Sequence, residues 1–169
     1  KDMASDGHGA MWFVGDTAAE DGTRIDALTR LDVDGTVSVY EVPPNFLFAP
    51  DLVRVDGFDR VWVAAWGFQL VGGDRGSVEL RLNRGVAVLS ADRSAWTYFD
   101  QWTSGLFGSA VKDLAFDADG NTWFAAYRER DVETEGEGPS EGLSVLTPAG
   151  EWATFTDEHA NSWSVERIA

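Results

Sequence analysis

The sequence contains no cysteine, which excludes disulfide bonds and thiolate-ligated metal sites and leaves the cellular compartment open. Lysine is limited to Lys1 and Lys112, and histidine to His8 and His159, so few side chains are available for acid–base chemistry. Long apolar runs are also missing. The longest apolar-leaning stretch, 61–73, is too short and too rich in glycine to span a bilayer, so we expect no membrane insertion.

Positive charge is the other scarce feature of the chain. The 169 residues carry 13 Lys and Arg against 29 Asp and Glu, which gives a net charge of −16. Such a surface repels phosphate backbones and anionic lipids, so the composition predicts no binding to nucleic acid. Cations or basic partners fit the charge better.

One pattern is present three times: an Asp, a short polar turn and a Trp inside an apolar run. The copies read SDGHGAMWFVGD, VDGFDRVWVAAW and FDADGNTWFAAY, and the Asp precedes the Trp by six residues each time. A second block, made of an apolar run, a tight turn and an aromatic run, follows each Trp and begins at Leu28, Val86 and Leu143. The chain is therefore built from repeats.

The repeat predicts an all-β fold. Helical periodicity is nowhere sustained, whereas short runs rich in Val, Trp, Phe, Tyr and Thr are bounded by Asp, Gly and Pro, as is typical of strands joined by turns. We expect four antiparallel strands in each unit, and hence a β-propeller segment of about three four-stranded blades. The single domain 1–169 divides into units at about 1–49, 50–110 and 111–164, with 165–169 starting a fourth.

The repeated Asp and Trp are explained by structure alone. An Asp side chain in a turn accepts a hydrogen bond from a backbone N–H two residues on, so we expect it to hold the first hairpin of each unit. The Trp side chains are predicted to fill the space between neighbouring sheets. The DADGN of the third copy is similar to part of a calcium loop, but DGHGA and DGFDR do not repeat its oxygen ligands, and we predict no metal site.

The pattern D-x-x-G-x-x-W followed by G-L-x-x-L, best matched at 113–146, resembles the propeller repeats of two-component-regulator sensor ectodomains. LTRLDVDGTVSVYEVPP, before APDLVRVDGFDRVWVAA, is similar to streptogramin-lyase-like propellers. The resemblance implies a β-propeller and a periplasmic or extracellular location. It implies no particular activity, because the matched residues are those that build blades. Three blades do not close a ring, so the expected partners are further blades of the same protein or a second copy.

A four-stranded antiparallel blade has two unlike ends. We call the end that carries the Asp turns the turn end, and the opposite end the long-loop end. The second and third strands are predicted to be connected at the long-loop end by residues at about 15–26, 66–84 and 128–141, and successive units by about 43–50, 100–110 and 157–163. Long loops at one end of a rigid scaffold commonly bind ligands, so we expect binding there.

Aromatic and polar residues in these loops are the candidate ligand-binding set. Stacking surface is assigned to Trp66, Phe68, Trp102, Tyr127 and Trp163, and a polar rim to Asp74, Arg75 and Arg128. Such aromatics suit carbohydrate or another small ligand. The alternative that they pack beneath their own loops as plugs remains open.

The sequence favours a noncatalytic ligand-sensing or interaction module of a larger propeller protein. The alternatives are a streptogramin-lyase-like enzyme and a structural scaffold. The resemblance implies a histidine base and a divalent metal for the enzyme, and His159 beside Glu158 is the one candidate at the long-loop end. No catalytic residue and no cofactor is assigned, and the acidic run within 128–141 is expected to be solvated.

Overall fold

The computed structural model describes residues 2–18, 21–22, 24–43, 50–65, 68–72, 78–82, 85–128 and 141–156, and the backbone alone for residue 24 and for 68–72 and 78–82. Every regular element within these ranges is a β-strand, which confirms the all-β prediction. None of the described residues forms a helix that is long and apolar enough to cross a membrane.

The strands assemble mainly into three antiparallel four-stranded sheets, one for each repeat. Sheet 1 has the order β1 (Met3–Ser5), β2 (Met11–Ala18), β3 (Arg24–Leu31), β4 (Val37–Glu41). Sheet 2 has the order β5 (Leu52–Val55), β6 (Val61–Ala64), β9 (Val86–Leu89), β10 (Trp96–Phe99). Between β6 and β9 the chain forms a separate two-stranded hairpin of β7 (Phe68–Gly72) and β8 (Val78–Leu82). Sheet 3 has the order β11 (Ala110–Phe116), β12 (Thr122–Tyr127), β13 (Glu141–Leu146), β14 (Trp152–Thr156).

Two of the predicted long connections contain additional strand pairing. The pairing of β2 with β3 continues to Ala18 opposite Arg24, so much of the connection expected at 15–26 is itself strand. Within 66–84, β7 pairs with β8 as a hairpin from Phe68 opposite Leu82 to Gly72 opposite Val78. The unequal length of the repeats therefore comes partly from strands added at the long-loop end.

Sheet 2 lies between the other two sheets and is buried on both faces. Alternate residues of its inner strands β6 and β9 belong to different clusters because successive side chains point to opposite faces of a sheet. One cluster joins Val61, Val63, Ala87 and Leu89 to the sheet 1 residues Trp12, Val14 and Leu28. The other joins Trp62, Ala64, Val86 and Val88 to the sheet 3 residues Leu114 and Phe124. Each large side chain buried in this way stabilises the fold by about 2 kcal/mol.

The first strands of the three sheets lie side by side, with β5 in contact with both β1 and β11. Arg54 on β5 connects them: its guanidinium pairs with Asp2, which precedes β1, and lies 3.0 Å from Asp113 on β11. Asp113 is only 8% exposed, so this ion pair compensates a nearly buried carboxylate. The sheets are therefore linked by charge at their first strands and by apolar packing across their faces.

Candidate functional site

The Asp turn has the same hydrogen-bond geometry in each repeat. In the middle copy, Asp56 accepts bonds of 2.9 Å from the backbone N–H groups of Phe58 and Arg60, and of 2.8 Å from the indole N–H of Trp62. The indole bonds of the other copies are 3.1 Å from Trp12 to Asp6 and 2.8 Å from Trp123 to Asp117. The prediction that the Asp holds the hairpin is confirmed, and the six-residue spacing also serves to bring the indole to the carboxylate.

An aromatic ring of the last strand accompanies each repeated Trp. It is the fourth residue of that strand, and the ring centroids are 5.7 Å apart for Trp12 and Tyr40, 6.0 Å for Trp62 and Phe99, and 6.1 Å for Trp123 and Phe155. We call these three groups the Asp–Trp–aromatic units. Sequence reasoning missed the third member, although the aromatic run after each tight turn was a visible signal.

In the first and third units, hydrogen bonds hold the carboxylates of Asp6 and Asp117 in their ionised form by lowering the pKa. The Trp123 indole N–H and the Asn121 amide lower the pKa of Asp117 from 3.8 to about 2. Burial acts to raise the pKa of Asp6, but hydrogen bonds from Trp12, Ala10 and His8 outweigh it, so the pKa lies below 3.8. Groups that stay charged and fully hydrogen-bonded serve structure rather than proton transfer.

A cleft of about 230 Å³ opens at the turn end between sheets 2 and 3. Its lining is contributed by the two Asp turns and the strands beside them: Asp56, Gly57, Phe58, Arg60, Phe116, Asp117, Ala118, Gly120 and Thr122. Phe58 is 62% exposed, and the Arg60 guanidinium lies 5.4 Å from its ring centroid. Arg60 also donates from Nε to Asp56 at 2.6 Å, so the cleft presents one ring and one positioned cation.

The segment 100–110 at the long-loop end has a fixed internal structure. Asp100 accepts hydrogen bonds from the backbone N–H groups of Trp102 and Thr103 and from the Thr103 hydroxyl, at 2.9, 2.6 and 2.8 Å. Gln101 and Ser109 exchange a pair of bonds across the segment, at 3.3 and 3.1 Å. The turn that carries Trp102 is thus held by backbone and polar contacts rather than by the indole itself.

The same segment is attached to both sheets that it connects. The Gly85 N–H donates to the Ser109 carbonyl at 2.9 Å, and the Phe107 N–H donates to the Ser144 hydroxyl at 2.7 Å. Gly108 lies so close to β12 that an added Cβ would come within 2.1 Å of the Tyr127 carbonyl oxygen. The segment therefore lies against the end of β12, beside Tyr127.

Of the predicted ligand-binding residues, Trp102, Tyr127 and Arg128 fall within the described part of the chain, all at the long-loop end. Trp102 is 61% exposed, Tyr127 is 36% exposed, and Arg128 is half-buried. Lys112 and Glu141, which the sequence did not single out, form an ion pair of 2.8 Å here, with Glu141 directly opposite Tyr127. The side chains of Trp66, Phe68, Asp74, Arg75 and Trp163 lie outside the described residues.

The described residues provide no catalytic arrangement that would support the enzyme alternative. His159 and Glu158 lie outside them, and His8 is exposed in a turn at the opposite end. Among the residues that the structure describes, no three of the His, Asp and Glu side chains are placed to hold a metal ion. No family model matches the chain, and no curated protein matches it either. The resemblance to propeller repeats therefore stays a prediction.

Proposed function

We propose that the chain is a noncatalytic interaction module made of three β-propeller blades that binds its ligand at the long-loop end. The sheet arrangement supports the blade interpretation. Each repeat forms one four-stranded antiparallel sheet, the sheets stack face to face, and their first strands are neighbours. Blades around a propeller axis have the same relationships, with the first strands nearest the axis. Further blades of the same protein or a second copy then complete the ring.

The exposure of Trp102 is the observation that carries the binding proposal. A tryptophan that is 61% exposed leaves a large apolar ring in water, and the turn below it is held without the help of that ring. The plug alternative, in which loop aromatics pack beneath their own loops, does not fit Trp102. Exposed aromatics on rigid supports are common anchors of binding sites because they bury much area at little entropic cost.

The side chains at the long-loop end fit a small polar ring, and a carbohydrate in particular. Trp102 and Tyr127 offer aromatic faces, and the Lys112–Glu141 pair offers charged hydrogen-bonding groups beside Tyr127. Arg128 follows Tyr127 directly and is one of the three polar rim residues that the sequence predicted, with Asp74 and Arg75. We expect the hairpin residues and Trp163 to complete the site, in a periplasmic or extracellular setting.

The cleft at the turn end is a second candidate site. Its exposed Phe58 ring and the Arg60 guanidinium beside it could hold one small ring or an anionic group. The Asp56 and Asp117 carboxylates are already committed to their own turns, and the cleft has no exposed tryptophan among its lining residues. We therefore rank it below the Trp102 surface.

A binding screen with a matched pair of variants separates the two candidates. The chain is screened against glycans and small metabolites, and each hit is measured by calorimetry with Trp102→Ala and Phe58→Ala. The two residues are 61% and 62% exposed and lie at opposite ends, so neither change should alter the fold. We expect Trp102→Ala to weaken binding by about 30-fold, as the loss of an aromatic anchor does, and Phe58→Ala to leave it within about twofold. The reverse result would favour the cleft, and two unaffected variants would exclude both sites.

A further inference from the structure

Among the described residues, no sheet covers the third Asp–Trp–aromatic unit as sheets 2 and 3 cover the first two. Trp12 and Trp62 are 0% exposed because sheet 2 covers the first and sheet 3 covers the second. Trp123 is only half-buried, and its partner Phe155 is 37% exposed. Strand register places Trp123 beside Val145 and Ala153, as it places Trp62 beside Val88 and Thr97. We call the surface of Ala115, Trp123, Leu143, Val145, Ala153 and Phe155 the outer face of sheet 3.

Sheet 1 presents the complementary surface on its far side. Its outer face consists of Met3, Phe13, Leu31, Val37 and Val39, which are 61%, 36%, 38%, 59% and 51% exposed. The pair Met3 and Phe13 corresponds to the pair Val53 and Val63 of sheet 2. Both of those valines are 0% exposed because they pack on the sheet 1 cluster that contains Trp12.

The two outer faces are therefore the two halves of a junction that the chain already forms twice. Sheet 1 offers its Trp12 face to the valine face of sheet 2, and sheet 2 offers its Trp62 face to sheet 3 in the same sense. In the described part of the chain, no sheet packs on the Trp123 face or on the Met3–Phe13 face, and the two faces lie on opposite sides of the stack with sheet 2 between them. An exposed apolar face of this extent marks an interaction surface.

We propose that a second copy of this chain covers both faces head to tail. The outer face of sheet 3 in each copy packs on the outer face of sheet 1 in the other, which gives two equal junctions and a closed ring of six sheets. The proposal rests on the blade arrangement proposed above and names the partner that completes it. A head-to-tail contact of this kind forms a closed ring when its rotation permits and a filament when it does not.

Charge sets the conditions for the pairing. Each copy carries a net charge of −16, so two copies repel one another at low ionic strength. Most residues of the two faces are apolar. Asp113, in register with Ala125, is bound by Arg54 at 3.0 Å. Glu141 is paired with Lys112 at 2.8 Å, and Glu41 is exposed at the end of β4. Added salt should therefore strengthen the pairing, because it screens the repulsion and leaves the apolar contact intact.

Sedimentation and light scattering with single-face variants test the proposal. Wild type should have twice the 18.5 kDa mass of one chain. Met3→Arg blocks the sheet 1 face and Phe155→Arg blocks the sheet 3 face. The equivalent residues Val53 and Phe99 of sheet 2 are packed at the existing junctions, whereas Met3 and Phe155 are 61% and 37% exposed, so the sheets should still fold. Each variant alone should be a monomer, and the two mixed should form a dimer through the one intact junction. Thr97→Arg, on the exposed edge strand of sheet 2, should remain a dimer like wild type.

The alternatives give different results in the same experiment. A wild-type monomer at high salt would overturn the proposal, since something other than a second copy must then cover the faces. A dimer of either blocked variant by itself would show that like faces meet, and open-ended growth would show that the ring does not close; both outcomes contradict the proposal. Trp102→Ala should stay dimeric, so a failed ligand screen and a failed dimer are separate results.

Discussion

Asp59 and Arg93 form an ion pair of 2.9 Å between two turns of sheet 2, and each has a left-handed backbone, with φ of 62° and 63°. The other two repeats have glycine at these positions: Gly9 and Gly120 in the Asp turn, and Gly35 and Gly150 in the second turn. The Arg93 guanidinium also lies 4.7 Å from the centroid of the Trp12 ring of sheet 1. The middle repeat thus has two non-glycine residues with left-handed backbone where the other repeats have glycine. Its Arg93 in return contacts Trp12 across the junction between sheets 1 and 2.

The backbone strain at Arg93 can be separated from its contacts. Arg93→Ala and Arg93→Gly both remove the ion pair and the contact with Trp12, but only glycine relaxes the left-handed backbone. We expect Arg93→Ala to lower the free energy of unfolding by about 2 kcal/mol, and Arg93→Gly by about 1 kcal/mol less than that. Urea unfolding measures both values. Equal losses would mean that the backbone at this turn is not strained.

Arg54 should contribute more to stability than most partly exposed arginines do, because it pairs with the nearly buried Asp113 as well as with Asp2. Arg54→Met keeps much of the apolar stem and removes the charge. We expect it to lower the free energy of unfolding by about 1–3 kcal/mol. This loss is smaller than for a fully buried ion pair because solvent screens the partly exposed guanidinium. Arg54→Lys, whose single ammonium cannot reproduce the fork, should lose an intermediate amount. A loss below about 0.5 kcal/mol for Arg54→Met would rule out this role.

Trp62 and Trp123 each donate an indole hydrogen bond to the Asp of their turn, but Trp62 is fully buried and Trp123 only half-buried. Replacement by Phe removes the indole N–H and leaves a second donor on each carboxylate, Arg60 in one case and Asn121 in the other. We expect Trp62→Phe to cost about 3 kcal/mol and Trp123→Phe about half as much, when both are measured in the monomeric Met3→Arg background. Equal costs in that background would contradict the uneven cover of the two units.

Acid should destabilise the fold within a defined range. The pKa of Asp117 is about 2 against an unperturbed 3.8, so the unfolded chain binds the proton more readily. The contribution of Asp117 is therefore complete above about pH 4 and is lost as the pH falls towards 2, and the lowered pKa of Asp6 acts in the same direction. Thermal unfolding across this range should show a shallower loss for Asp117→Asn than for Asp119→Asn, which removes a charge from the same turn. Parallel curves would contradict the assignment.

The sequence predicted the elements that depend on local pattern. The spacing from Asp6 to Trp12, repeated twice, was enough to locate the first hairpin of each sheet and to predict that Trp12 and Trp62 are core residues. These features depend on turn chemistry and on side-chain alternation within a few residues, which a single repeat contains. Repetition in one register then fixed the number of sheets.

Contacts between repeats were beyond sequence reasoning. Arg54 meets Asp113 because their strands belong to different sheets that lie side by side, and nothing local to either residue indicates that. The β7–β8 hairpin was missed because its strands are flanked by glycines and match neither neighbouring repeat. The exposure of Trp102 likewise follows from the turn built on Asp100, whereas the same residue type is fully buried at positions 12 and 62.

Hydrogen exchange of the tryptophan indole N–H groups is the most direct test of the stacked sheets and their repeated unit. The signals are assigned by single Trp→Phe variants, and exchange is followed by NMR in the monomeric Met3→Arg background. We predict that the indoles of Trp12 and Trp62 exchange only on global unfolding, that of Trp123 faster, and that of Trp102 at the rate of an exposed side chain. Exchange of Trp12 or Trp62 as fast as that of Trp102 would contradict the account, because neither indole would then be enclosed between sheets.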